Sequence, residues 1–319
     1  MFEKLFMSFA VIAILGYFFL AIAALLDKYI LSDEHMLAPA TYAFYGGVFS
    51  LFTLAFVPFG FGYLGIFPTG ILLLSGIFFL YGLLFLYQAI RKGEISRVAP
   101  LVGTIIALTV FLAPFVPGVF GEPVLDIYFI LALILLIGGG FLISFDFPLK
   151  KGEVIPGEVI TAGILFGIHF LLLKYGYGHT DFINGLIWSR IGIFLGALTL
   201  LFIPLFRREI FSRSRHMRTK PKHALGTLAV FTTNKACAGL ASYLVAYASF
   251  LGSVALVQAL NGLQYVFLLL LMIPIAFRYP DIFREKLHFW DWFQKVIAII
   301  IIGLGLFLAS VGGVWFLNG

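Results

Sequence analysis

Two basic residues stand where a basic residue is costly. Arg190 lies about two turns into one long apolar stretch of the chain, and Lys235 lies near the middle of the next, beside Asn234. An ionisable side chain at membrane depth costs several kcal/mol unless it is paired or wetted. Neither residue can easily reach an interface from its place. In the sequence no Asp or Glu falls at comparable depth, and Asp27, at the end of the first apolar stretch, is the nearest carboxylate. Two such cations can attract an anionic or hydrogen-bonding solute in a wet cavity. The structural alternative is a pairing with a carboxylate or with helix-end carbonyls.

Spacing extends the polar face. Thr232, Lys235, Gly239, Ser242 and Ala246 fall on one side of one helix. Gln258, Asn261 and Tyr265 do the same in the next apolar stretch, and Tyr81 and Gln88 face the matching side from the third. The predicted substrate-binding set is therefore Lys235, Arg190, Asn261, Gln258, Tyr265, Tyr81 and Gln88. For Asn261 and Gln258 the competing role is hydrogen bonding between helices without a solute. His169, alone in an apolar stretch, reads as a hydrogen-bonded structural histidine rather than a proton relay. Glu122 and Glu285 read as caps or gate contacts, and Pro100, Pro114 and Pro117 as kinks. The six histidines have no metal-ligand spacing, and no motif of an intramembrane enzyme is present. No catalytic residue, metal or cofactor is expected.

The elements that must hold these residues follow from composition. Of 319 residues 62% are hydrophobic and 11% charged, and the mean hydropathy is +1.08. Soluble domains are about 45–50% apolar and about 25% charged. A soluble enzyme, a disordered chain and a collagen-like fibre are excluded. Ten solidly apolar runs, at 6–26, 39–58, 69–90, 98–120, 126–145, 158–174, 184–206, 225–249, 253–277 and 293–317, predict ten transmembrane helices. They lack the alternation of a membrane β-barrel. The first run is long and aromatic, with no small-residue cleavage site before Asp27, and reads as a retained span. The longest polar segment, Arg207 to His223, reads as a loop. The single cysteine, Cys237, excludes an intramolecular disulfide. The net charge of +6 reads as a mark of cytoplasmic loops, not of nucleic-acid binding.

The halves repeat weakly but in order. Leu26-Asp27-Lys28-Tyr29 is answered by Leu172-Leu173-Lys174-Tyr175, and Tyr45-Gly46-Gly47 by Arg190-Ile191-Gly192. Ala89, Gly93, Ile95, Val98 and Leu101 are answered by Ala248, Gly252, Val254, Val257 and Leu260, and Glu122 by Glu285. Gly139, Phe141, Leu142 and Ser144 are answered by Gly305, Phe307, Leu308 and Ser310. Residues 1–148 and 149–319 are thus predicted as two five-helix units. Five is odd, so the second unit enters the bilayer from the opposite face, and the all-α fold becomes two inverted repeats around a central cavity. Most Lys and Arg fall in the connections after the odd-numbered helices, which places those loops in the cytoplasm and both termini outside.

The stretch Tyr87-Gln88-Ala89-Ile90-Arg91-Lys92-Gly93-Glu94-Ile95-Ser96-Arg97-Val98-Ala99-Pro100-Leu101 resembles the junction of the third and fourth helices in EamA-type members of the drug/metabolite transporter superfamily. Phe120-Gly121-Glu122 and Gly138-Gly139-Gly140 are also similar to that family. The resemblance spans nearly the whole chain as two EamA-like units. It implies a ten-helix carrier whose cavity is lined by helices one to four and six to nine, with helices five and ten peripheral. EamA-like units often carry a basic residue at the position of Arg190. The chain departs from the pattern twice. Family members usually place both termini in the cytoplasm, against the charge count, and Gln258-Ala259-Leu260 stands where the first unit has Ala99-Pro100-Leu101. Related small multidrug exporters carry a glutamate in mid-membrane on the first helix, which trades protons for cationic drugs, and no such carboxylate occurs here. The expected cargo is a small neutral, zwitterionic or anionic metabolite, moved by alternating access across the cell membrane. The expected partners are that solute and the lipid bilayer, without nucleic acid, and the sequence is compatible with a monomer or a homodimer. The other classes are an intramembrane enzyme and a membrane scaffold that transports nothing.

Overall fold

A chain this apolar must satisfy its backbone polar groups internally, and helices do so within each segment. The computed structural model describes residues 2–32, 37–93, 95–112, 127–144, 157–216, 221–252, 254, 257, 260–278 and 289–315. These residues are almost entirely helical, and no strand occurs among them. In chain order the elements are α1 (Phe2–Ser32), α2 (Pro39–Phe49) with a 3-10 continuation (Ser50–Phe59), α3 (Ile66–Lys92), α4 (Ile95–Leu112) and α5 (Ile127–Ser144). They continue as α6 (Gly157–Tyr177), α7 (Phe182–Leu200), α8 (Pro204–His216), α9 (Pro221–Leu251), α10 (Gly262–Arg278) and α11 (Phe289–Trp315). Among the described residues five segments are long and apolar enough to cross a membrane: Phe9–Leu31, Pro39–Phe59, Ile66–Lys92, Gly157–Tyr177 and Phe182–Leu200. Shorter apolar helices cover Ile130–Leu142, Gly262–Ile275 and Val296–Gly305.

One expectation is corrected. The polar stretch from Arg207 is not a loop: residues 204–216 form α8, with Pro204 in its first turn, where a missing N–H is tolerated. Phe206 and Ile210, one turn apart, pack into the main core, and the Thr41 hydroxyl donates to the Glu209 carbonyl at 3.1 Å. One buried and one half-buried apolar side chain on one face hold a helix that overall hydropathy hides. Gln258, Glu122, Glu285, Pro114 and Pro117 lie outside the described residues.

Packing follows a pattern of matched pairs. α1 runs along α9 and α10, and α6 runs along α3 and α4. α5 lies against α11, and their contacts are reciprocal: a Cβ on Gly139 would strike Ile302 and the Ala298 carbonyl, while a Cβ on Gly305 would strike Leu136 and the Ala132 carbonyl. That pairing is antiparallel. The same correspondence recurs at two lysines. Lys28, at the end of α1, donates to the carbonyls of Ile90 (3.1 Å) and Gly93 (2.8 Å) beyond α3. Lys174, near the end of α6, donates to those of Ser249 (3.1 Å) and Gly252 (2.8 Å) beyond α9. Each ammonium satisfies orphan carbonyls and faces the negative end of a helix dipole. The turn between the 3-10 segment and α3 has Gly60 and Gly65 at φ of 107° and 93°, a region that L side chains avoid.

Candidate functional site

α1, α2, α3 and α9 converge on Lys235. Its half-buried ammonium lies 3.7 Å from the centre of the Tyr42 ring, 5.5 Å from Tyr87 and 5.4 Å from Phe231. Tyr42 and Tyr87 lie with ring centres 4.5 Å apart, and Phe231 meets Tyr42 edge-on at 5.8 Å. The Tyr87 hydroxyl is 3.5 Å from Nζ. This is a cation held on aromatic faces, an arrangement worth about 2 kcal/mol when water is excluded. Asp27 sits at the Tyr42 hydroxyl. The Tyr42 hydroxyl stands 2.5 Å from Asp27 Oδ1 and 2.8 Å from Asn234 Oδ1. The Asn234 amide donates to Asp27 Oδ1 (3.0 Å) and to the Ala23 carbonyl (2.8 Å). Asp27 and Lys235 do not form an ion pair, and among the described residues Lys92–Glu158 at 2.5 Å is the one that occurs.

The sequence places Asp27 at the margin of its span. The fold brings it into the same cluster as Lys235, because α1 runs along α9 and Asn234 reaches both Ala23 and Asp27. Tyr42, Tyr87 and Phe231 were not among the predicted site residues. Their signal was weak: aromatic residues among many others, with no spacing that points to a lysine on a distant helix.

Arg190, on α7, is also half-buried. Its guanidinium donates to the Ser242 hydroxyl at 2.6 Å and lies 5.9 Å from the centre of the Phe79 ring. Ser242 and Lys235 share one face of α9 and are seven residues apart, about 10 Å along the axis. Between them Gly239 is open, with nothing within 4 Å of a Cβ placed there. The two cations thus stand at the two ends of one polar helix face. Phe79 also contacts the His169 ring at 4.8 Å, and His169 Nδ1 lies 2.8 Å from Ser75 Oγ and 3.0 Å from the Ser75 carbonyl. That histidine is buried and ties α6 to α3.

The remaining predicted residues are dispersed. The Tyr81 hydroxyl pairs with Thr199 Oγ1 at 2.8 Å, across α3 and α7. Gln88 is half-buried near the end of α3. Asn261 and Tyr265 are fully buried against Gly103 of α4, where a Cβ on that glycine would strike both side chains. The Asn261 Oδ1 has no hydrogen-bond partner among the described residues.

The chain matches no family model, and its sequence matches no curated protein. Among solved structures, 21 chains match. One of them, described only as a crystal structure of protein, has a TM-score of 0.58 at 16% identity, covering 97% of this chain and 97% of its own. At that identity the likeness is one of fold, and it extends over the whole helical arrangement.

Proposed function

We propose that this protein is a multi-pass secondary transporter of the EamA type, built of two inverted five-helix repeats. It moves a small neutral, zwitterionic or anionic metabolite across the cell membrane by alternating access. The helix exchange supports the repeat: α1 lies on α9 and α10 as α6 lies on α3 and α4. The reciprocal contact of Gly139 and Gly305, and the matched bonds of Lys28 and Lys174, fit a two-fold axis perpendicular to the helices. Two bundles so related can rock about a shared site.

The observation that carries the reading is where Lys235 sits. It stands between α9 and α2, whose backbones stay apart while side chains span the gap. A half-buried ammonium in such a gap, with Arg190 at the other end of the same face, attracts an anionic group and repels a lipophilic cation. The experiment is reconstitution into vesicles with labelled amino acids, sugars, nucleotides and sugar phosphates. A carrier takes up a solute with saturation, and Lys235→Met lowers that uptake about tenfold or more, the loss of about 1.4 kcal/mol of binding. Conversion of a solute would mark an enzyme. Neither uptake nor conversion would mark a scaffold.

A further inference from the structure

With an ionised carboxyl, the cluster around Asp27 has one hydrogen fewer than its contacts require. Three contacts join three side chains: Asp27 Oδ1 to Tyr42 Oη at 2.5 Å, Tyr42 Oη to Asn234 Oδ1 at 2.8 Å, and Asn234 Nδ2 to Asp27 Oδ1 at 3.0 Å. The amide orientation of Asn234 is fixed. Its nitrogen faces two acceptors, Asp27 Oδ1 and the Ala23 carbonyl, so both of its hydrogens are used, and a flipped amide would set oxygen against oxygen twice. The Tyr42 hydroxyl then faces two oxygens, and a phenol has one hydrogen. With an ionised Asp27, one of the two oxygen–oxygen contacts holds no hydrogen at all. Buried polar atoms rarely accept that arrangement.

We propose that Asp27 is a proton-binding site and carries a proton at neutral pH. The hydrogen bonds then close into a ring. The Asp27 carboxyl donates to Tyr42 Oη, the Tyr42 hydroxyl donates to Asn234 Oδ1, and the Asn234 amide donates back to Asp27 Oδ1. Every contact holds one hydrogen. The wider surroundings agree. The charged or titratable groups facing Asp27 are Tyr42 on α2, Tyr87 on α3 and Lys235 on α9. Lys235 settles on the Tyr42 ring instead of forming an ion pair with the carboxylate beside it. A neutral Asp27 also leaves the Lys235 charge uncancelled, which favours an anionic solute group. That consequence, and the use of the proton in exchange for solute, rest on the carrier reading. The protonation itself does not.

The test therefore needs no solute. Infrared spectra of the purified full-length protein at neutral pH should contain the carbonyl stretch of an un-ionised carboxyl, and Asp27→Asn should lose it. The asparagine amide can supply the missing hydrogen to Tyr42 but leaves one Asn234 hydrogen without its acceptor, so this variant is expected to fold with reduced stability. Tyr42→Phe removes the acceptor of the carboxyl hydrogen and should shift the band to higher frequency, a readout that stands if Asp27→Asn fails to fold. A wild-type spectrum with no such band at neutral pH overturns the proposal. So does a band that Asp27→Asn leaves in place, or one that Tyr42→Phe leaves unmoved. Failure of vesicle uptake with the band present would count against the carrier and leave the proton site standing.

Discussion

Where α3 meets α7, Gly76 seats its backbone directly on the backbone of Ser189, Gly192 and Ile193, and Gly192 returns the contact on Leu73. Where α9 meets α2, the position that stands to Ala248 as Gly76 stands to Ala89 is Lys235. In the proposed repeat these are the same seam in the two halves. One is closed by the smallest side chain, the other is held apart by one of the longest. Across the second seam Tyr42 and Phe49 reach Phe231, and the Lys235 ammonium comes to 3.7 Å from a Cβ placed on Gly46. If the proposed repeat holds, the contrast makes its two halves asymmetric at this seam. A glycine seam is dry and close, and a lysine seam brings charge into the bilayer and needs polar or aromatic company. In the proposed carrier, the closed seam seals one half of the membrane while the propped seam leaves the site open to the other.

The sharpest way to break this contrast is at Gly76. A methyl group there lands on backbone atoms of α7, which cannot rotate away, so the helices must part. Gly76→Ala should cost about 3 kcal/mol, at the upper end for overpacking, seen as a large drop in the thermal midpoint in detergent. Gly46→Ala is the control in the other seam. Its new methyl meets only the end of a flexible lysine, so stability should hold or rise by a few tenths of a kcal/mol, since alanine favours the helix. Equal losses at both positions would show that the two seams do not differ as described.

Arg190 links the seams, since it sits on the α7 of the closed one and bonds Ser242 on the α9 of the open one. Arg190→Gln keeps a polar side chain but removes the charge and falls two bonds short of the group that reaches Ser242. A hydrogen bond to a charged group is worth about 1.5–3 kcal/mol, and the variant should lose about 2 kcal/mol of thermal stability. No loss would mean that the bond from Arg190 to Ser242 contributes nothing to stability.

Much of this was legible before the fold was seen. The apolar runs predicted an all-helical chain, in which five described segments are long and apolar enough to cross a membrane, and the weak matches between halves singled out Lys28, Lys174, Gly139 and Gly305, whose contacts correspond. Lys235 and Arg190 declared themselves by charge in a greasy setting. What stayed hidden depended on partners far away in the chain. Asp27 looks peripheral until α9 brings Asn234 beside it. The match between Gly76 and Lys235 is invisible to a comparison that seeks like with like. Asn261 and Tyr265 fall on a polar stripe, yet the fold presses that stripe onto Gly103, because a glycine there lets α4 approach. α8 escaped notice because four arginines outweigh Phe206 and Ile210 in any average.

The two lysine bridges give a finer comparison, since here the halves are alike. Lys28→Met and Lys174→Met each strip a cation from a helix end and leave two carbonyls short of a donor. Each should cost about 1.5 kcal/mol, within the range for a partly buried cation at a helix C-terminus, and the two losses should be equal. Thermal midpoints of the two variants, measured side by side, decide this. A loss at one lysine alone would show that the matched geometry conceals unlike energetics.

The smallest effect belongs to the fastening at the end of the closed seam. Asp181 caps α7, accepting from the Asn184 backbone N–H at 2.9 Å and from its side-chain amide at 2.7 Å. Asn184 in turn holds the turn before α3, accepting from the Gly62 N–H at 2.8 Å and donating to the Gly60 carbonyl at 3.1 Å. Burial pushes the Asp181 carboxyl up, but the hydrogen bonds from Asn184 and from the backbone of Asp181 and Ile183 together outweigh it and hold the group below its ordinary value of 3.8. A carboxyl depressed in the folded state stabilises above its unfolded value, and the stabilisation is lost as pH falls through the lower folded value. Asp181→Ala should therefore cost about 1 kcal/mol at neutral pH, the usual worth of a helix N-cap. The gap between wild type and variant should stay level down to about pH 5 and close only in strong acid. A gap that begins to close near neutral pH would mean that the cap acts through another titrating group. A gap that persists in strong acid would mean that Asp181 fastens the closed seam through its uncharged hydrogen bonds, with no contribution from its charge.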